Sequence, residues 1–339
     1  MVTIDEIAKL SKVSVSTVSK ALNGYTEISQ KTRDRIIGIA DELGYMPNAT
    51  AQSLVRKRSN TIGVVYEVEY GLKNLFFSGV LESFRKNVES IGYDILLLSH
   101  NTESGLDYLR HCQSKNVDAV LVVSGGDNQE SLEKLYKSNL AVLTLDPHEK
   151  SPNSIFSDSY TSIRRSCKYL YDLGHKKIAF INGSYTNYIG RERLKAYLDF
   201  MREKGLEPLY LPDKSNESYS YEEGHHTMKL LFETYGLPEA VCSVSDLMAV
   251  GAMNYLKAHG FSVPDDVSII GFDDLQVCEI VSPKLTTVRQ NYEAFGELAC
   301  DTLKGMIEGK MRKIDPIIVD TEIIVRDSCK KRRLKEVNE

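Results

Sequence analysis

The sequence predicts an α/β protein: a three-helix head and a hinge helix at the N-terminus, then a two-lobed body of doubly wound parallel sheets. Three observations carry this. Residues 1–46 hold helix caps and apolar residues at helical spacing, with no strand pattern. From Thr61 onward short apolar runs alternate with helical stretches, which implies right-handed crossovers onto parallel strands. The alternation comes in two sets, the second starting near Lys177, and two sets imply two sheets.

In the head, Thr3-Ile4-Asp5-Glu6 reads as a capping box opening a helix whose Ile4, Ile7 and Ala8 face inward. Ser14 caps a second helix that runs to about Asn23 and is closed by Gly24. Ser29 caps a third, with Ile36, Ile39, Ala40 and Leu43 inward and Gly44 at its end. Two short helices at a tight turn, with a third as buttress, make a helix-turn-helix unit. Val18, Ala21 and Leu22 then face the core and leave Val15, Ser16 and Lys20 outside. That is what a major-groove reader requires: lysine reaches guanine O6 and N7, and a methyl-bearing side chain meets thymine. A solvated helix face with a stray lysine is the plainer alternative. The next stretch, Tyr45 to Asn60, shifts the balance: a Pro turn, a short amphipathic helix from Asn48 with Leu54 and Val55 on it, then Arg56-Lys57-Arg58. An apolar wedge beside positive charge suits a kinked minor groove.

Charge agrees. The 339-residue chain carries a net −5, which excludes a uniformly basic coat, yet residues 1–60 hold nine basic and six acidic side chains, leaving −8 for the rest. A small basic head on an acidic body fits a nucleic-acid reader with a second function. Six scattered cysteines (Cys112, Cys167, Cys242, Cys278, Cys300, Cys329) read as buried free thiols in a reducing compartment. With no signal region and no long apolar run, the chain is expected in the cytoplasm, without a membrane partner.

In the body, "TIGVVY", "YDILLLS", "AVLVVS" and "LAVLTLD" read as strands, with a helix from Leu75 to Ser90. "KIAFIN", "AVCSVS" and "VSIIGFDD" form the second set, with helices from Arg191 to Lys204 and up to His259. Ligands of such sheets sit beyond the strand carboxyl ends, where Asp146, Ser245-Asp246 and Asp273-Asp274 fall, and Arg193 stands near a helix start. Carboxylates, an arginine fork and aromatic faces suit a sugar; capping of the following helix is the plainer use of each strand-end acid. Enzyme motifs are missing: no G-x-S-x-G elbow, no P-loop, no G-x-G-x-x-G after a strand. "VSGGDN" reads as a glycine turn. His225-His226 diverge on a helix, and Asp273-Asp274 lack a third ligand, so no metal, no cofactor and no catalytic residue is expected.

"TIDEIAKLSKVSVSTVSKALNG" and "ISQKTRDRIIGIADELGYMPNATAQSL" resemble the lactose-repressor (LacI/GalR) family of bacterial transcription regulators, and the likeness extends over essentially the whole chain. It departs at Ser11-Lys12, where the family usually has Ala-Gly, and at Gln52, where many members have Arg. The resemblance implies base reading by Val15, Ser16 and Lys20, and a hinge of Asn48, Ala51, Gln52, Leu54 and Arg56 with Leu54 inserted in the minor groove. It implies a body like periplasmic sugar-binding proteins, with effector held by Arg193 in "GRERLKAYLDF", Asp273 in "SIIGFDD", and Gln290 and Tyr292 in "TTVRQNY". Asp146, Ser245 and Phe76 complete the expected set; Ser245 stands where several members have Asn, and Leu75 where the family often has Pro. The expected organisation is a helix-turn-helix domain over 1–46, hinge and linker over 47–60, a body over 61–330 and a basic then polar tail over 331–339. Within the body the N-lobe covers about 61–158 and 291–320, the C-lobe about 159–290 and 321–330. The expected protein is a repressor on near-palindromic operator DNA, a homodimer because each helix-turn-helix reads one half-site and the tail "CKKRRLKEVNE" has no heptad run for a tetramer helix, controlled by a carbohydrate effector. The alternatives are a catabolite-control regulator using a phosphorylated protein corepressor, a purine-type corepressor, and a sugar-transport receptor, the last disfavoured by residues 1–58.

Overall fold

The computed structural model describes residues 2–46, 58–67, 74–98, 107–124, 128–145, 153–185, 188–212 and 218–332. They fall into two compact units: Met1–Thr61 with Asn116–Asp118, and the remainder. The hinge residues Asn48, Ala51, Gln52, Leu54 and Arg56, and Asp146 in the body, lie outside the described residues.

In the first unit, α1 (Ile4–Ser11) opens with the capping box: the Glu6 amide donates to Thr3 Oγ1 at 3.4 Å and the Thr3 amide to Glu6 Oε2 at 2.8 Å. The chain leaves α1 through Lys12 at φ 53°, ψ 43°, so a lysine holds the left-handed position that glycine adopts without steric cost. Ser14 caps α2 (Val15–Leu22) by accepting from the Thr17 amide, and Ser29 caps α3 (Gln30–Glu42). Ile7, Ala8, Val18, Ala21, Ile36 and Ala40 close a small core, with Ile4, Leu22, Ile39 and Leu43 half-buried around it. This is the helix-turn-helix arrangement its apolar spacing predicts.

The second unit holds two cores on two parallel sheets. The first sheet has the order β2-β1-β3-β4, from β1 (Thr61–Tyr66), β2 (Asp94–Leu98), β3 (Ala119–Ser124) and β4 (Ala141–Thr144). A parallel bridge from Thr144 to Ser154 carries it on to β5 (Ile155–Ser157), paired with β10 (Ile317–Val319). Helices α4 (Leu75–Ser90) and α12 (Tyr292–Ile307) pack together over this core, while α5 (Tyr108–Lys115) meets α6 (Gln129–Tyr136). The second sheet runs β6-β7-β8, from β6 (Ile178–Ile181), β7 (Ala240–Ser243) and β8 (Ser268–Ile270), all parallel. A bridge from Ile270 to Thr286 leads to β9 (Thr287–Gln290), antiparallel to β11 (Thr321–Ile324). Around it pack α7 (Ser159–Asp172), α8 (Tyr188–Lys204), α9 (Tyr221–Tyr235), α10 (Asp246–Ala258) and the short α11 (Val277–Ile280).

The expected α8 start at Arg191 needs correcting: the helix begins three residues earlier, at Tyr188, because "YIG" continues its apolar face. The "VSIIGFDD" strand is shorter than its apolar run, closing at Ile270, after which Asp273 and Asp274 take positive φ. All six cysteines are free thiols, five of them buried. No helix among the described residues is long and apolar enough to cross a membrane.

Tyr197 shows how tightly the second core is specified. Its buried ring stacks on Phe180 with centroids 4.7 Å apart, and its hydroxyl donates to the Ile178 carbonyl at 2.9 Å while accepting from the Leu209 amide at 2.7 Å. One phenol thus ties α8 to β6 and to the segment bridging β6. Tyr197→Phe keeps the ring and strips both buried backbone groups of their partner, so urea unfolding is expected to show a loss of about 1–3 kcal/mol.

Candidate functional site

The strands of both sheets end toward one cavity of about 430 Å³. Ser124 and Leu145 arrive from β3 and β4, Val244 and Ser245 from β7, and Asp273 from β8. Parallel strands leave their carboxyl-terminal loops on one edge, so two such edges facing each other enclose a pocket without any special loop. Phe76, Phe77, Phe156, Phe295 and Tyr219 supply aromatic surface. The hydroxyl of buried Ser157, also in the lining, has no hydrogen-bond partner among the described residues. An orphaned buried hydroxyl at a cavity wall is a place for a polar ligand atom.

Arg193, from the first turns of α8, is the cation of the site and is 7% exposed. Its Nη1 donates to the Val244 carbonyl at 2.9 Å, its Nε to Ser159 Oγ at 3.2 Å, and its guanidinium carbon lies 4.0 Å from the centre of the Phe272 ring. Burial pushes its pKa down. Asp273 sits at φ 120°, with Oδ1 accepting from Gln290 Nε2 at 2.6 Å. Desolvation first, then the charge of Asp246, raises its carboxyl to about 8; Arg193 and Gln290 pull the other way. Asp246 is fully buried, accepting from the Leu275 amide at 2.7 Å and from the Thr287 hydroxyl, and burial raises it to about 6. Asp274 turns away into an ion-pair cluster with Arg289 at 2.6 Å and Arg326 at 2.7 Å.

Of the residues expected at an effector site, the structure brings Phe76, Arg193, Ser245, Asp273 and Gln290 into one lining. Ser245 is already engaged: it caps α10 through the Met248 amide, and its hydroxyl donates to the Tyr219 carbonyl at 3.2 Å. Helix capping, the plainer use of a strand-end polar residue, applies here. Tyr292 is placed outside the lining: as the first residue of α12 it is 42% exposed and lays its ring over Gly79, where an added Cβ would come within 3.1 Å of the ring. Sequence reasoning missed Tyr219 and Ser220, which enter from the segment preceding α9, and Glu222 in its first turn. Gly183 is the sequence-level clue to Tyr219. A Cβ there would fall 2.4 Å from the phenol, so only glycine admits the ring, whose oxygen accepts from the Ser184 amide at 3.2 Å.

On the head, Val15 (41% exposed), Ser16 and Lys20 all face solvent from α2. Ser16 Oγ lies 2.8 Å from Ser14 Oγ, and the Lys20 ammonium is ion-paired to Glu27, a residue the sequence reading did not single out.

Residues 3–48 match the bacterial regulatory proteins of the lacI family, and residues 167–329 match the periplasmic binding protein-like domain. The probable HTH-type transcriptional repressor ExuR of Bacillus subtilis (strain 168) is 31% identical over 98% of this chain and 99% of its own. The chain belongs to the lacI family. It is a DNA-binding transcription regulator with a periplasmic-binding-protein-like body. The Lac repressor dimer bound to operator and the anti-inducer ONPF superposes with a TM-score of 0.86 at 24% identity, covering 97% of this chain and 99% of that one. The regulator CelR in complex with cellobiose gives 0.71 at 25% identity, over 97% and 100%. In this lacI-family member the lysine at position 12 preserves the head by taking the left-handed turn itself.

The Asp273 carboxyl sets a pH dependence. Its folded pKa, about 8, lies above the ordinary 3.8, so between those values the native state holds a proton that the unfolded chain has lost. This contribution to stability therefore falls as pH rises from about 4 to 8. Thermal unfolding of Asp273→Asn against the unmodified chain is expected to show a shallower decline of Tm over that interval, with the gap widest near pH 8. Parallel curves would mean that Asp273 is ionised in the folded protein.

Proposed function

We propose that the protein is a repressor that binds a near-palindromic operator as a homodimer and is switched by a sugar or sugar derivative held between the two halves of its body. The observation that carries this is the composition of the cavity. Arg193 donates, Gln290 and Asp273 offer donor and acceptor atoms, Ser157 has an unused hydroxyl, and aromatic rings provide apolar faces. Sugars present hydroxyl rims and apolar ring faces, and such walls match both. CelR, which shares the fold, is seen with cellobiose. The cavity volume of about 430 Å³ in the present protein suits a mono- or disaccharide better than a protein segment.

A helix-turn-helix unit reads one half-site, so specific binding calls for two copies, and the Lac repressor likeness is to a dimer on operator. Val15, Ser16 and Lys20 would read the major groove; the minor-groove part assigned to Leu54, with Asn48, Ala51, Gln52 and Arg56, rests on the family likeness. Effector and operator affinities must shift by the same factor, whichever sign the effector has.

The test is a thermal-shift screen of sugars, sugar phosphates and nucleobases, followed by operator titration by fluorescence anisotropy. A sugar is expected to raise Tm, because a ligand that binds only the folded state stabilises it. Arg193→Ala and Asp273→Ala should lose that shift while binding operator, without effector, nearly as the unmodified chain does. A full effector response in Asp273→Ala would move the site elsewhere, and stabilisation by nucleobases alone would replace the sugar.

A further inference from the structure

The ion pair on the reading face has no evident structural purpose. The Lys20 and Glu27 side chains are 46% and 64% exposed, and pairs this open add little to folding stability. Yet Glu27 is firmly placed. Gly24, at φ 79°, ends α2, the Tyr25 amide donates to the Lys20 carbonyl at 3.0 Å, and the Arg33 guanidinium donates to the Tyr25 carbonyl. Ile28 then packs on the head core and Ser29 caps α3. The turn therefore presents its carboxylate beside the lysine of α2, on a face expected to approach polyanionic DNA, where an acid opposes binding.

We propose that Glu27 is a positioning residue for base readout, holding the Lys20 ammonium to the base edges of the major groove and away from the phosphates. This rests on α2 being the base-reading helix. A lysine ammonium is a compact charge on a flexible stem with three donors. Left free, it drops onto a phosphate, gaining affinity that carries no sequence information. Glu27 occupies one donor and leaves two, the number needed to meet guanine O6 and N7. Its charge repels phosphate but tolerates those neutral acceptors. The hydrogen bond to Glu27, with its charge, also favours the protonated lysine. Glu27 thereby trades general affinity for discrimination.

The experiment uses the full chain. A binding duplex is selected from a randomised pool with the unmodified protein. The base pair read by Lys20 is then located as the symmetric position where Lys20→Ala abolishes discrimination. Anisotropy titrations over a salt series compare the selected duplex, the same duplex with that pair exchanged for A·T in both half-sites, and an unrelated duplex. Glu27→Gln is expected to bind the unrelated duplex several-fold tighter and to lose about tenfold in discrimination at that pair. Its salt slope should steepen by about one per head, as Lys20 moves to a phosphate. In the Lys20→Ala background, Glu27→Gln should leave discrimination unchanged. Unchanged discrimination in the single variant, or an equal change in both backgrounds, overturns the proposal. If Lys20→Ala abolishes discrimination nowhere, it is the assignment of α2 as reader that fails.

Discussion

A guanidinium buried without a carboxylate in ion-pair contact is costly to keep, and the body keeps one. Among the described residues no acid lies within ion-pair distance of Arg193, so its charge is balanced by weaker partners: a carbonyl after β7, the hydroxyl of Ser159 and the face of Phe272 after β8. Each partner sits where a strand has just ended or a helix has just begun. The placement of Arg193 therefore depends on both sheets ending at one level, which parallel strands joined by right-handed crossovers provide. Conversely, moving any of these strand ends would leave a charge in a dry site.

Beside Phe272, on which Arg193 stacks, the same dryness acts on Asp273 with opposite sign. Desolvation favours the neutral form of Asp273 and opposes the charged form of Arg193, and only the carboxyl can respond near neutrality by keeping its proton. The wall thus presents a fixed cation and, close to it, an acid that both donates and accepts. A neutral, hydroxyl-rich molecule meets both needs. A strong cation would suit Asp273 only in its ionised form, and it would do so against the charge of Arg193.

Local chemistry made the head legible. Thr3, Glu6, Ser14 and Ser29 act within four residues of themselves, so the caps and the inner faces could be read directly from the sequence. Body strands were legible for a related reason: "TIGVVY" and "AVLVVS" are continuous apolar runs, as strands buried on both faces must be. The site was legible from local chemistry where a residue follows such a strand, as Asp273 does, while Phe76 and Arg193 on helices and Gln290 inside a strand came with the family likeness. Tyr219 comes from an irregular stretch before α9, and its position is set by a missing Cβ at Gly183, 36 positions earlier, which no periodicity records. Tyr292 shows the converse. Two residues from lining residue Gln290, it starts a helix that turns its ring onto Gly79. Glu27 was missed because its partner is seven residues away across a turn rather than one helical turn along.

The chain passes between the two sheets at Asp158, Asn291 and Asp320, and the first two of these residues also cap helices, α7 and α12. A cap fixes the backbone angle at which a chain enters its helix, so these passages are defined rather than slack. The residues beside them complete the cavity. Ser159, next after Asp158, holds Arg193, and Gln290, just before Asn291, holds Asp273. A ligand that engages Arg193 and Asp273 therefore acts one residue away from two of the three covalent links between the halves. Small changes in those two hydrogen bonds bear directly on the links, with no longer chain of contacts required. That adjacency gives cavity occupancy a physical route to the relative setting of the two cores, through backbone already stiffened by its own caps.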